Sequence, residues 1–443
     1  MSADRRTLIT AAVAMVALIL VGVVGAQIFT RSACEVIAPE AGSPGVSGAD
    51  IGPVLAEALD DLSEEERAQL LAGLEVVAGA GGQVGSATDV GPAVSLTELG
   101  DDLVATGETT TVLPWGPDGD VEAVEFGEDA TVVGDGDALY VVALVNELTG
   151  QVDALAPLGP DVLEDRDCTD TATVGVQLAF HLDAADGRLL LFRVDDDGDG
   201  PTLELRGPEG PIWDADVTVG SGPPGVLAER LTARLGEGLV VAARRSLPDE
   251  EAPALAAHDL EDGQERWTLG PGELLEHAPS GETALVVRVV AVESDLVVVA
   301  LSREEDGPEA TRLVGLDPAD GEVRWSSDVV TDGVPRVVGE IGDDLLMLAG
   351  RDGMLEAVQV ERGTGDHEVL HATSGQHGAA TVVGGGVLLG VDGGVTRIHP
   401  GEEVDAVSLP GRIVDLAVDG DQVALLVRSD EGGVVVHLEL GEA

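Results

Sequence analysis

The sequence predicts an all-β fold of short repeated strands, and three observations carry that prediction. Among 443 residues there are 60 Gly and 22 Pro, 2% are aromatic, and 44% are hydrophobic. Most of the hydrophobic residues are Val, Leu and Ala, and valine suits the pleated strand as glycine suits the turn. A strand–turn grammar then recurs from about residue 94 to the end. Finally, two turns share one spacing: Asp259-x-x-x-Gly263-x-x-x-Trp267 and Asp317-x-x-x-Gly321-x-x-x-Trp325. Units of about 40–50 residues, each of four antiparallel strands, stack into a propeller.

The N-terminus comes first in chain order. Arg5 and Arg6 precede an uncharged apolar run over residues 8–29, from Leu8 to Phe29, and Arg31 follows it. At ~1.5 Å per residue such a helix spans a hydrocarbon core of about 30 Å. Two arginines before the run and one after it favour an N-in, C-out anchor in the lipid bilayer, with the rest extracytoplasmic. The rival reading is a cleaved signal peptide, for which Val24, Gly25 and Ala26 form a small-residue cleavage site. The run exceeds the roughly 7–15-residue signal core, so the retained anchor is preferred. The expected division is 1–31 for cytoplasmic tip and anchor, 32–93 for linker and short helical stalk, and 94–443 for the propeller.

Cys34 follows the anchor, and Cys168 lies in an acidic loop. Outside the cytoplasm an even pair reads first as a disulfide and second as free thiols. Lipid attachment at Cys34 ranks last, because Arg31 stands where a bacterial lipoprotein signal wants an aliphatic residue. Residues 35–50 read as a Pro/Gly/Ser linker. Leu55, Leu59 and Leu62, then Leu70, Leu71 and Leu74, recur at helical spacing, and Ser63 with Glu66 forms a capping box. Two short helices over about 51–78 follow, taken as a spacer.

The repeat is plainest near the end. Strands at 344–350, 354–360 and 366–370 are separated by turns at 351–353 and 361–365. Strands at 387–391, 395–399 and 404–409 repeat the order. Apolar strands joined by Asp-Gly turns are antiparallel hairpins. Turns before an outer strand fall near 117, 148, 185, 261, 319, 363 and 400, which predicts eight blades first and seven second. The last unit lacks a strand, and residues 94–99 are the expected donor from the N-terminal side.

In the motif, Asp caps the turn, Gly takes the positive-φ position, and Trp packs against the neighbouring sheet. Asn146/Gly150, Asp183/Gly187 and Glu361/Gly365 keep the turn without the Trp. Through Asp259, Gly263, Trp267, Asp317, Gly321 and Trp325 the chain resembles the quinoprotein-type, PQQ-like propeller repeat over roughly residues 94–443. The resemblance implies the fold. The family includes quinone-dependent dehydrogenases and an outer-membrane assembly lipoprotein, so it implies no single function.

The chain carries 83 acidic and 23 basic residues, a net charge of −60, and every basic residue is arginine. Such a surface repels phosphate backbones, which argues against nucleic acid as a partner. Asp195, Asp197 and Asp199 have the D-x-D-x-D-G spacing of calcium loops, with Glu204 as a closing ligand. The alternative is a solvated acidic turn. His367, His371 and His377 form the sole histidine cluster, and residues four apart on a strand share a face, where two could hold zinc. No catalytic constellation stands out, and no G-x-S-x-G, Walker A or H-E-x-x-H pattern occurs. The preferred reading is a non-enzymatic binding or assembly scaffold for a protein or envelope component. The alternative is a quinone-dependent dehydrogenase or other propeller enzyme. Against the dehydrogenase stand the short chain, its few tryptophans and its lack of an adjacent cysteine pair.

Overall fold

The computed structural model describes residues 40–41, 46–47, 51–79, 82–99, 102–107, 110–115, 124–126, 130–135, 138–146, 151–158, 172–173, 178–185, 187–194, 201–217, 230–246, 252–281, 283–303, 311–327, 331, 334–374, 378–383, 386–398, 405–430 and 432–441. The strands among them are antiparallel and pair into six sheets. The first sheet holds Ser95–Leu99, Asp102–Thr106, Thr110–Pro114 and Val124–Phe126, with Glu40–Ala41 on its outer edge. The second runs from Ala130–Asp135 to Gly210–Asp216 in eight strands. The third (Leu231–Gly236 to Glu265–Leu269), fourth (Leu285–Val292 to Val323–Ser326) and fifth (Arg336–Ile341 to His367–Ser374) have four strands each. The sixth has seven. In hydrogen-bonding order they are Val46–Ser47, Gln83–Asp89, Gly433–Glu439, Gln422–Arg428, Asp405–Asp419, Gly386–Ile398 and Gly378–Val383.

The leading strands neighbour one another in a closed ring. Leu178–Ala185 lies beside Leu231–Gly236, then Leu285–Val292, Arg336–Ile341, Gly378–Val383, Asp405–Asp419, Ser95–Leu99 and Ala130–Asp135, which returns to Leu178–Ala185. This ring of twisted sheets is a propeller. Its hydrogen bonds make six sheets and not the eight separate blades read from the repeats. Repeat spacing counts turns, whereas a sheet is bounded where the ladder stops. In the second sheet the ladder crosses between units, pairing Gln151 with Phe180 and Val152 with Ala179. In the sixth, Asp405–Asp419 first pairs backwards with Gly394–Arg397 and then forwards with Gln422–Arg428. It bends at Gly411, whose φ of 92° suits glycine.

Apolar alternation explains the cores. Val297, Val299 and Leu301 are fully buried with Val241, Leu255 and Val314 between the third and fourth sheets. The alternate residues Val298 and Ala300 pack with Leu345 and Met347 of the fifth. Each middle strand is covered on both faces, so its sequence reads as a continuous Val/Leu run.

Two expectations about the N-terminal side are corrected. The strand that completes the sixth sheet is Gln83–Asp89, which pairs Ala87 with Val436 and Thr88 with Val435. Residues 95–99 instead pair with Asp102–Thr106 in the first sheet. The helices α1 (Ile51–Ala58) and α2 (Glu64–Ala78) are not a free spacer. Ile51, Leu55, Leu70 and Leu74 are buried in one cluster with Leu409, Ile413 and Leu438 of the sixth sheet. Gly73 lets α2 approach: a Cβ there would lie 2.2 Å from Leu409 Cδ2. The α2 capping box forms, with Ser63 N–H donating to Glu66 Oε2 at 2.8 Å and Glu66 N–H to Ser63 Oγ at 3.3 Å. Among the described residues no helix is long and apolar enough to cross a membrane, and the apolar run 8–29 lies outside them.

Candidate functional site

The Asp…Gly…Trp spacing acts between sheets. Trp267 Nε1 donates to Pro318 O at 2.9 Å, and its ring covers Gly321 in the turn of the next sheet. Trp325 Nε1 donates to Arg362 O at 2.8 Å, and its ring covers Gly365. Trp213 does the same one step earlier: its Nε1 donates to Leu260 O at 3.0 Å and its ring covers Gly263. A Cβ on Gly263, Gly321 or Gly365 would stand 2.7, 2.8 or 2.5 Å from the indole, and all three have positive φ. Glycine is therefore required twice at each turn, by the backbone and by the neighbour's ring.

Asp259 and Asp317 shape these turns. Asp259 Oδ1 accepts from Glu261 N–H and Asp317 Oδ1 from Ala319 N–H, both at 2.8 Å. Their other oxygens accept from Arg266 and Arg324. The guanidinium hydrogen bonds come first among the causes that hold both carboxyls below the usual carboxylate range, followed by the turn amides. Such carboxylates contribute stability above the unfolded-state value, and it is lost as pH falls through the folded one.

The sequence missed Trp213 and the two arginines. Trp213 lacks an Asp…Gly turn eight residues upstream, so the spacing did not flag it. Arg precedes Trp in both full motifs, a signal that was present. Asp183 is also reassigned. It lies on the leading strand Leu178–Ala185, and Gly187 turns the first hairpin, not the one before an outer strand. Asp183 Oδ2 accepts from Leu235 N–H of the third sheet at 2.8 Å. Asp415 repeats this staple at the ring's closure, accepting from Leu96 N–H at 2.8 Å. Burial raises the Asp415 pKa, and the Leu96 amide opposes it.

The metal expectations fare differently. Asp195, Asp197 and Asp199 lie outside the described residues, as do Cys34, Cys168 and His377. Glu204 is buried and its two oxygens accept from Arg193 and Arg206. His367 and His371 do not share a face. A bulge shifts the register between them, pairing His367 with Val360, Val369 with Val358, and His371 with the adjacent Ala357. Neighbouring strand residues point to opposite faces, so the two rings diverge. No metal-holding group of three His, Cys, Asp or Glu occurs among the described residues.

One cleft, of about 80 Å³, lies between the second and third sheets. Asp216, Leu231, Arg244, His258, Glu265 and Thr268 line it. Arg244 is buried and donates to the carbonyls of Ala252 and Pro253. His258 Nδ1 lies 3.2 Å from Gly263 O, which assigns the ring proton to Nδ1, and the ring stacks on Trp213 at 26°. The lining offers carboxylates and a hydroxyl to a small polar group.

The sequence matches no protein-family model, and no curated protein is similar to it. Solved structures similar to the chain include BamB from Moraxella catarrhalis, 14% identical with a TM-score of 0.48, covering 80% of this chain and 99% of that one. A second is the quinohemoprotein alcohol dehydrogenase ADHIIG from Pseudomonas putida, 10% identical with a TM-score of 0.45, covering 80% and 77%. A third is Kluyveromyces lactis Hsv2, 10% identical with a TM-score of 0.41, covering 80% and 98%. At these identities and scores nothing about chemistry or partner passes to this chain, and its fold rests on its own strand pairing.

Proposed function

We propose that the chain is a membrane-tethered, extracytoplasmic propeller that serves as a binding or assembly scaffold for a protein or envelope component. One observation carries this over the quinone-enzyme alternative: three of the four tryptophans, Trp213, Trp267 and Trp325, are committed as clamps between sheets. A quinone enzyme sandwiches a tricyclic cofactor in a pocket of some 300–1,000 Å³ with convergent polar groups. Rings already clamped onto turn glycines are not free to form its walls. What they supply instead is rigidity, which lowers the ordering cost when a partner docks.

Two measurements test this reading. The full chain, incubated with pyrroloquinoline quinone and calcium and assayed with alcohols, aldoses and an artificial electron acceptor, is expected to bind no stoichiometric quinone. Substrate-dependent dye reduction would promote the dehydrogenase. In intact cells, external protease is expected to cut the chain beyond residue 31 while the run 8–29 stays with the membrane. Protection of the whole propeller until lysis would reverse the orientation, and a mature N-terminus at Gln27 would replace tethering with secretion.

A further inference from the structure

The ring closes where the first sheet meets the sixth, and that seam is built unlike the others. On the sixth sheet's side Ala424, Leu426 and Val435 pack against Leu103, Ala105 and Leu113 of the first sheet. Strand alternation puts Thr88, Gln422 and His437 on the same face as these residues, and Thr111 and Trp115 on the opposing face with Leu113. Thr88 Oγ1, Thr111 Oγ1, Trp115 Nε1, Gln422 Oε1 and both His437 ring nitrogens are all buried without a hydrogen-bond partner. Buried polar atoms are normally paired, and each orphan weakens the packing it sits in. The closing strand Gln83–Asp89 also has an irregular register between Val84 and Ala87.

His437 is 1% exposed and meets the Trp115 ring edge-on, with centroids 5.7 Å apart and planes at 86°. Around it stand Val435 and Glu439 on its own strand, Gln422 and Ala424 on the next, Thr88 on the closing strand, and Thr111 and Trp115 across the seam. The titratable and charged groups on this face are Glu439, Asp415, Asp419 and Arg428, with Glu98 facing them from the first sheet. Glu439 accepts from the Gln83 side chain at 2.8 Å, and Asp415 accepts from the Leu96 and Leu416 amides. None of them is hydrogen-bonded to the imidazole, whose two nitrogens are both without a partner. The Trp115 indole N–H is itself a donor and cannot accept from a protonated ring.

We infer that Gln83–Asp89 is an acid-releasable latch: protonation of His437 opens the seam between the first and sixth sheets. Release of Gln83–Asp89 then bares the edge of Gly433–Glu439, whose Val434, Val435 and Val436 are fully buried when the latch is shut. An apolar edge of that kind is a template for another strand. The sign follows from burial, which pushes His437 down from 6.5 to about 4 in the closed state. Between those values the open state binds the proton and the closed state does not, so the closed state loses stability as pH falls. The opening equilibrium is expected to grow about 30-fold between pH 7.5 and pH 5.

Hydrogen exchange on the full chain, corrected for the intrinsic pH dependence of exchange, tests this. At pH 5 the amides of 83–89, and those of 433–439 that bond to them, are expected to lose protection about 30-fold, while those of 297–303 in the fourth sheet keep theirs. His437→Leu is expected to hold the 83–89 protection constant over the same range. Equal loss in 83–89 and 297–303, no loss in either, or an unchanged pH response in His437→Leu would overturn the latch. If His437→Leu does not fold, the comparison of the two strands in the unaltered chain decides alone.

Discussion

Trp325→Ala is expected to cost roughly 3–5 kcal/mol, as truncations of large buried rings do. The ring is 5% exposed and packs with Leu345 and Met347 of the fifth sheet. It also spans two glycines: a Cβ on Gly365 would stand 2.5 Å from it, and one on Gly315 2.2 Å. Losing the ring opens a cavity beside Leu345 and Met347, walled on two sides by the backbone of Gly315 and Gly365. It also orphans the Arg362 carbonyl, worth about 1 kcal/mol more. Against a typical total of about 5–15 kcal/mol this is a large share. Urea unfolding at high salt, where screening relieves the self-repulsion of the net −60 chain, is the measurement. Trp325→Phe keeps most of the ring and loses the hydrogen bond, so it should fall between the two. Gly365→Val should approach the alanine variant from the other side, through a clash with the ring and a φ of 73°. A cost for Trp325→Ala near that of a surface change, about 0.5 kcal/mol, would refute the clamp.

How much of this was legible in the sequence depends on the range of the interaction. The capping box at Ser63 and Glu66, the Asx turns at Asp259 and Asp317, and the outer-strand turn at Gly365 are set within a few residues, and spacing reveals them. The strand pattern is local too, because a middle strand buried on both faces must read as a Val/Leu run. What spacing does not reveal is which strand lies beside which. Gln83–Asp89 contains Gln83, Ser86, Thr88 and Asp89, and looks no more strand-like than the linker around it. Its place is decided by Gly433–Glu439, some 350 residues away. The tryptophans are a middle case. The motif was visible, but each ring serves the turn of the following sheet, so Trp213 had no motif of its own and went unflagged. The surroundings of Glu204 and His371 were hidden for a further reason. Both are judged in the sequence by offset alone, which shows neither that Arg193 reaches Glu204 from the adjoining strand nor that a bulge turns His371 away from His367.

The second large effect concerns the closing strand. A chain begun at residue 91 is expected not to yield a monomeric, cooperatively folding propeller, whereas one begun at residue 45 should. Removing Gln83–Asp89 unpairs Gly433–Glu439 along five registered pairs, from Gln83↔Glu439 to Asp89↔Val434. At about 1 kcal/mol net for each lost hydrogen bond, that is roughly 5 kcal/mol before packing is counted. The same cut strips Ile51, Leu55, Leu70 and Leu74 from the largest cluster against the sixth sheet, baring Leu409, Ile413 and Leu438. A bared apolar edge next to a bared apolar face should aggregate. Ala87→Arg tests the strand without shortening the chain. Ala87 is fully buried opposite Val436, so a guanidinium there must either open the ladder or be buried unpaired. The two donor assignments separate cleanly. If residues 95–99 closed the ring, the chain begun at residue 91 would keep its donor and fold. If Gln83–Asp89 closes it, that chain fails, and a peptide of residues 46–90 added in trans should restore a monomeric, cooperative unfolding transition.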